Sequence, residues 1–258
     1  VSLYYDNAGI TIYHGDAREV LPALERDSID LVLTDPPYQS LDVDVSWGST
    51  TRLVSRDRFN GKRLAAADGM PWFGTMSFDD LDFVWAECRK LLRNTGALYV
   101  FTDVKSGIEI NYRLRPRNVI VWDKQKIGMG YAWRRTHEWI AYCPNQKHKL
   151  RCLEMGDIVR ASGISKKVHP TEKPPSVCSP IIRNSSDSGA RVLDPFMGVG
   201  SILIAAKLLG RSGIGIEIEE RYCEIAARRL AQDVLPFSPP PAAPAETQSM
   251  MYEEEATQ

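Results

Sequence analysis

Short apolar runs and helical stripes alternate along this chain, with turn residues between them. Ile10-Thr11-Ile12-Tyr13-His14 reads as a strand that ends at Gly15-Asp16, and Val20, Leu21 and Leu24 then fall at helical spacing within residues 17–26. Ile29-Asp30-Leu31-Val32-Leu33-Thr34 reads as the next strand, so the chain opens with a β-α-β unit whose second strand ends at Asp35. Ser77 opens an amphipathic helix with Leu81, Val84, Trp85, Cys88, Leu91 and Leu92 on one face, Asp79 and Asp80 at its N-terminus, and Thr95-Gly96 as its stop. Three more strands are predicted at 97–101, 119–122 and 139–142. A helix with Val177, Ile181 and Ile182 follows, then a strand at 191–193 ending in Asp194. A helix from about 200 to 209, a strand at 213–216 ending in Glu217, and a last helix at about 219–233 complete the pattern. Alternating strands and helices of this kind predict an α/β domain around a mostly parallel sheet.

Three stretches break the periodicity. Residues 39–76 are irregular, glycine-containing and basic (Arg52, Arg56, Arg58, Lys62, Arg63), and loops of that length are uncommon unless they are functional or disordered. Residues 144–168 carry Lys147, His148, Lys149, Arg151, Arg160, Lys166 and Lys167 and form a candidate DNA-recognition insert. From 236 onward the chain is Pro/Ala-rich and then acidic, which reads as a disordered tail beyond a domain spanning 1–235.

A length of 258 residues is enough for a core that needs no disulfide staples. The five cysteines show neither zinc spacing nor a disulfide framework, and read as reduced thiols of a cytoplasmic protein. His148 and His169 have no partners at metal-ligand spacing, so no metal is expected. Residues 1–15 lack the basic start and apolar core of a signal peptide, and no run of about 18 apolar residues predicts a membrane span. The net charge of −1 conceals an uneven distribution: between Lys105 and Lys173 there are fifteen Lys and Arg against six Asp and Glu, with Tyr112, Trp122, Tyr131 and Trp133 among them. Basic residues interleaved with aromatics suit a nucleic-acid surface.

The chemistry concentrates at two strand ends. In Asp35-Pro36-Pro37-Tyr38 the prolines stiffen the backbone and remove two donors, leaving a carboxylate, a fixed carbonyl and an aromatic plate. Such a group suits a planar base with an exposed amine. An exocyclic amine is a poor nucleophile because its lone pair is delocalised into the ring. Bonding its two N–H groups to the Asp35 carboxylate and the Pro36 carbonyl favours a tetrahedral nitrogen, and stabilises positive charge as a methyl group arrives. A rigid turn after a strand is the plainer reading of the same four residues. At the second site, Asp194-Pro195-Phe196-Met197-Gly198-Val199-Gly200-Ser201 forms a glycine-rich strand-to-helix turn, and Glu217 ends the next strand 23 residues after Asp194. The turn is not G-x-G-x-x-G and has no Walker lysine, so neither a dinucleotide nor a triphosphate is favoured. An acidic first residue suits a cationic cofactor with an amino-acid end, a description that S-adenosylmethionine meets.

With these motifs the chain resembles the amino-group DNA methyltransferases, which methylate adenine N6 or cytosine N4, in their permuted β-type order. The resemblance covers roughly residues 6 to 233. It rests on Gly15-Asp16, Asp35-Pro36-Pro37-Tyr38, Val121-Trp122-Asp123-Lys124 through His137-Glu138, His169-Pro170-Thr171-Glu172-Lys173-Pro174, the 194–201 turn, and Gly215-Ile216-Glu217. It implies a Rossmann-like seven-stranded sheet, helices on both faces, and two last strands paired as a hairpin. It further implies that Asp194, Pro195, Phe196, Gly198, Gly200 and Ser201 cradle the methionine end of S-adenosylmethionine. Glu217 would take the ribose, Asp16 would lie near the adenine, Lys173 would abut the cofactor pocket, and Asp35, Pro36, Pro37 and Tyr38 would hold a flipped base. Asp16 also reads as a plain helix cap. Ser201 stands where the family often has Thr. The acidic first residue of Asp-Pro-Pro-Tyr leans to adenine N6 in double-stranded DNA. Cytosine N4, another substrate class such as RNA or a protein amide, and a catalytically silent DNA-binding relative are the alternatives. The family includes dimers.

Overall fold

Both faces of the central sheet in the computed structural model are apolar, because successive strand residues point to opposite sides and both sets are buried. The structure describes residues 1–37, 76–127, 133–163 and 172–232, without the side chain of Lys105. In chain order the elements are β1 (Ser2–Asn7), β2 (Ile10–His14), α1 (Ala17–Val20) with a 3-10 turn (Leu21–Ala23), β3 (Ile29–Thr34), α2 (Phe78–Leu91), β4 (Leu92–Thr102) and α3 (Val104–Leu114). Then come β5 (Asn118–Asp123), β6 (His137–Pro144), β7 (Ile158–Arg160), α4 (Pro175–Ser185), β8 (Arg191–Asp194), α5 (Ser201–Leu208), β9 (Ser212–Glu217) and α6 (Glu220–Ala231).

One sheet contains all nine strands, in the order β1-β2-β9-β8-β3-β4-β6-β5-β7. From β2 to β4 neighbouring strands run parallel; β6 is antiparallel to β4 and to β5, which gives the expected hairpin. Val32, Leu98 and Val100 face α1, α2 and α3, whereas Leu31, Leu33, Tyr99 and Phe101 face the α4 and α5 side. A third cluster seals α5 and α6 over β2 through Leu203, Cys223, Ala226, Leu230, Ile10 and Ile12. The helix after β8 therefore packs on one face and the helix after β3 on the other. That arrangement opens a crevice at the carboxyl ends of β8 and β3, the switch point of an open α/β sheet.

Three expectations need correction. The sheet has nine strands where seven were expected: the seven are present, and β1 and β7 extend its edges. β1 pairs with β2 through a turn at Ala8 and Gly9, whose φ values are 50° and 77°. Alanine at the first of those positions hides the usual Asn-Gly hairpin signature. β7 is three residues long, too short to show a period, and lies within the 144–168 stretch. The helix expected over 17–26 is one turn of α-helix and one of 3-10, because Pro22 cannot continue the hydrogen-bond ladder. Finally, Thr95-Gly96 does not end α2. The helix stops at Leu91 and the chain enters β4 directly; a Cβ at Gly96 would lie 2.9 Å from the Asp30 carbonyl oxygen, so this glycine permits close approach to β3 where the register slips.

Candidate active site

Every parallel strand delivers its last residue to one edge of the sheet. Asp16 follows β2, Glu217 ends β9, Asp194 ends β8, and Asp35 follows β3. Because β6 runs the other way, its first residues, His137 and Glu138, arrive at the same edge. Leu31 and Val32 pair with Val192 and Leu193, which sets the loops after β3 and β8 side by side. The buried Thr34 hydroxyl donates to Asp194 Oδ1 at 2.9 Å and ties the two loops together.

Asp194 is itself buried. Burial pushes its carboxyl up to about 7; hydrogen bonds from the Phe196 N–H and the Thr34 hydroxyl pull the other way, and the nearby Asp35 and Glu217 add to the rise. The turn that follows reverses through Gly198 and Gly200, with φ of 52° and 78°. A Cβ at Gly198 would meet nothing within 4 Å, so its backbone lies open to a ligand, whereas a Cβ at Gly200 would lie 3.0 Å from the Ala226 Cβ. The Glu217 carboxylate accepts from the Gly198 N–H at 2.9 Å and the Glu219 N–H at 2.8 Å, which locks the turn to β9. Burial raises the Glu217 carboxyl, and those backbone donors oppose the rise. Ser201 opens α5 and donates to Glu172 Oε1 at 3.2 Å; Arg229 pairs with that oxygen at 2.8 Å.

Asp16 is the N-cap of α1. It accepts from the Arg18 N–H at 2.8 Å, and its carboxylate pairs with the Arg18 guanidinium, which holds it below the usual carboxylate range. Lys173 sits on the β3 side of the crevice. Its ammonium hydrogen-bonds Asp35 Oδ2, lies 3.5 Å from Glu138 Oε2, and stands 5.3 Å from the centre of the Phe101 ring.

The structure thus brings Asp16, Asp35, Lys173, Asp194, Pro195, Phe196, Gly198, Gly200, Ser201 and Glu217 to one edge, with Pro36 and Pro37 continuing from Asp35. Tyr38, the loop 39–75, His169-Pro170-Thr171 and the tail 236–258 lie outside the described residues. Thr34, Glu138, Glu172 and Arg229 were not singled out as site residues. For Thr34 and Glu138 a signal existed: a polar residue closing, or a charged one opening, an otherwise apolar strand at the functional edge. The contacts of Glu172 and Arg229 with Ser201 and each other depend on tertiary packing and leave no pattern in the chain. The described part of the 144–168 stretch divides between two edges. Near its start the Lys147 N–H donates to the Asn94 carbonyl and His148 Nδ1 bonds the Thr95 carbonyl, on the opposite edge; β7 then runs beside β5 and returns the chain to the Asp123 end. Among the described residues no cluster of His, Cys, Asp or Glu could hold a metal ion, and no helix is long and apolar enough to cross a membrane.

A family described as DNA methylase matches residues 142–228. The type II methyltransferase M.HinfI of Haemophilus influenzae is 29% identical over 258 residues, covering 86% of this chain and 68% of the relative. Among solved structures, the M1.HpyAVI–SAM complex superposes with a TM-score of 0.61 at 23% identity, covering 85% of this chain and 99% of that one. The cytosine-N4-specific PvuII DNA methyltransferase superposes with a TM-score of 0.62 at 15% identity, covering 90% of each. At those identities the structural likeness is one of fold.

Proposed function

We propose that this chain, which belongs to the amino-group DNA methyltransferases, moves a methyl group from S-adenosylmethionine to the exocyclic N6 of an adenine flipped out of double-stranded DNA. The observation that carries the reading is the Thr34–Asp194 hydrogen bond, which joins the acceptor loop after β3 to the glycine turn after β8. A methyl donor held by one loop and an amine held by the other would meet in the crevice between them.

The residues fit that cofactor. Gly198 leaves open backbone, Glu217 and Asp194 present carboxylates, and an anionic Asp194 in a buried position favours a cationic partner. Asp194, Pro195, Phe196, Gly198, Gly200 and Ser201 would hold its methionine end, Glu217 its ribose, and Asp16 would lie toward its adenine. When bound, S-adenosylmethionine supplies an electrophilic methyl group on a sulfonium. On the base side, Asp35 and the Pro36 carbonyl would accept the two amine N–H bonds and stabilise the charge that develops on nitrogen. Flipping follows from access, because a stacked base hides its amine from any protein pocket. The acidic first residue of Asp-Pro-Pro-Tyr supports adenine.

Transfer of labelled methyl to unmethylated DNA, followed by hydrolysis to nucleosides, tests the reading. Label in N6-methyladenine is expected, and Asp35→Ala should lower the rate by about a hundredfold or more while leaving cofactor affinity in place. Label in N4-methylcytosine would replace the base assignment. An alanine variant at full rate would remove Asp35 from the chemistry.

A further inference from the structure

Asp35 is not empty-handed. Its Oδ2 already accepts a hydrogen bond from the Lys173 ammonium, within a crevice where the Lys173 side chain is only 10% exposed. An ammonium on that oxygen takes up one lone pair and neutralises the carboxylate, which weakens what Asp35 offers to an incoming amine. Moving Lys173 off Asp35 into the apolar surroundings would be strongly disfavoured, because a buried cation needs a carboxylate beside it. The structure supplies an alternative partner. Glu138 Oε2 stands 3.5 Å from the same nitrogen, longer than a charge-assisted hydrogen bond and within one small side-chain adjustment of becoming one. The other Glu138 oxygen accepts from Lys124 Nζ at 2.5 Å, which fixes the carboxylate from behind. Burial would raise the Glu138 carboxyl, but the Lys173 and Lys124 ammonium groups outweigh it and keep it below its ordinary range, so it is anionic and ready to receive a cation.

We propose that Glu138 is a positioning residue that takes over the Lys173 ammonium when the amine of the target base engages Asp35. Lys173 then moves between two carboxylates without leaving its buried site. The Phe101 ring, 5.3 Å from the ammonium, lines that site in either position. The exchange rests on the methyl-transfer reading above, since it gives Asp35 an amine to receive.

The test is single-turnover methyl transfer by the full chain at saturating S-adenosylmethionine, with DNA varied. Glu138→Gln keeps the shape and an acceptor for Lys124 but removes the charge. We expect its maximal rate to fall by about tenfold or more, with cofactor and DNA affinities within about threefold of the parent. The deciding comparison adds Lys173→Met, which removes the ammonium competing for Asp35. The double variant should recover at least about threefold over Glu138→Gln alone, whereas merely structural roles would add and make it slower. Should Glu138→Gln fail to fold, Glu138→Asp keeps the charge but shortens its reach, and an intermediate rate loss is expected. An active parent with a single variant at parental rate, or a double variant slower than the single, overturns the exchange and leaves the methyl-transfer reading intact. A parent that moves no label overturns that reading and this proposal with it.

Discussion

Asp194 meets two opposing demands. Its Oδ1 accepts from both the Thr34 hydroxyl and the Phe196 N–H, yet burial lifts the carboxyl to about 7. A carboxyl raised above its unfolded value binds its proton more tightly in the native state. Its favourable contribution is therefore complete below the unfolded value near ~4 and is lost as pH rises through about 7, a difference of a few kcal/mol. Asp194→Asn keeps an oxygen for both donors and has no charge to bury. It should raise the melting temperature of the ligand-free protein at pH 8 and change it little at pH 5. The same variant should weaken S-adenosylmethionine binding, because the anion that suits a cationic ligand is gone. In the parent near pH 6, binding should release a proton, measurable by calorimetry in two buffers of different ionisation enthalpy. The carboxylate and its position were legible from the strand that precedes it. Thr34 was legible only as a polar residue closing an apolar strand; nothing in the chain pairs its hydroxyl with Asp194.

The turn from β8 into α5 shows what element-level reading captures. Its glycines announced a tight strand-to-helix passage, and the φ of 78° at Gly200 is where that requirement is steepest. Gly200→Ala forces a side chain into the left-handed region, at roughly 1–2 kcal/mol, and puts a Cβ 3.0 Å from Ala226 on α6. We expect a stability loss of about 1–3 kcal/mol in chemical denaturation. Cofactor affinity should fall further than that loss alone explains, because Glu217 is bonded to the same turn through Gly198. Strands and helices with strong periods were likewise readable, and their order was enough to assign an α/β sheet. The exceptions have local causes. Gly96 looked like a helix stop because a glycine after a helical stripe usually is one, and only the nearby Asp30 carbonyl reveals that it serves strand packing. β1 and β7 are edge strands whose pairing depends on neighbours that periodicity does not show.

Across the whole molecule, most of the described positive charge between residues 105 and 173 is paired with carboxylates or lies away from the site. Arg113, Lys124, Arg135, Arg151, Arg160 and Lys173 all lie within 4 Å of carboxylate oxygens. Arg115, Arg117, Lys147 and Lys149 cluster where β5 begins and β6 ends, at the edge opposite the crevice. Among the described side chains of that stretch this leaves Lys126 and Arg134, both exposed, on the described ends of the β5–β6 connection beside the fully exposed Trp133 and at the crevice edge. Neither makes an ion pair among the described residues, so each is available to a phosphate. Replacing both with alanine should weaken DNA binding similarly on all sequences and lower the slope of log affinity against log salt by about 2. Arg115→Ala with Arg117→Ala removes the same charge from the far edge and should leave the slope unchanged. Titrations of a labelled duplex at several salt concentrations separate the two outcomes. Were the far-edge pair to lower the slope and the crevice pair to leave it alone, DNA would lie across the amino ends of the strands, where neither Asp35 nor the glycine turn could reach a base.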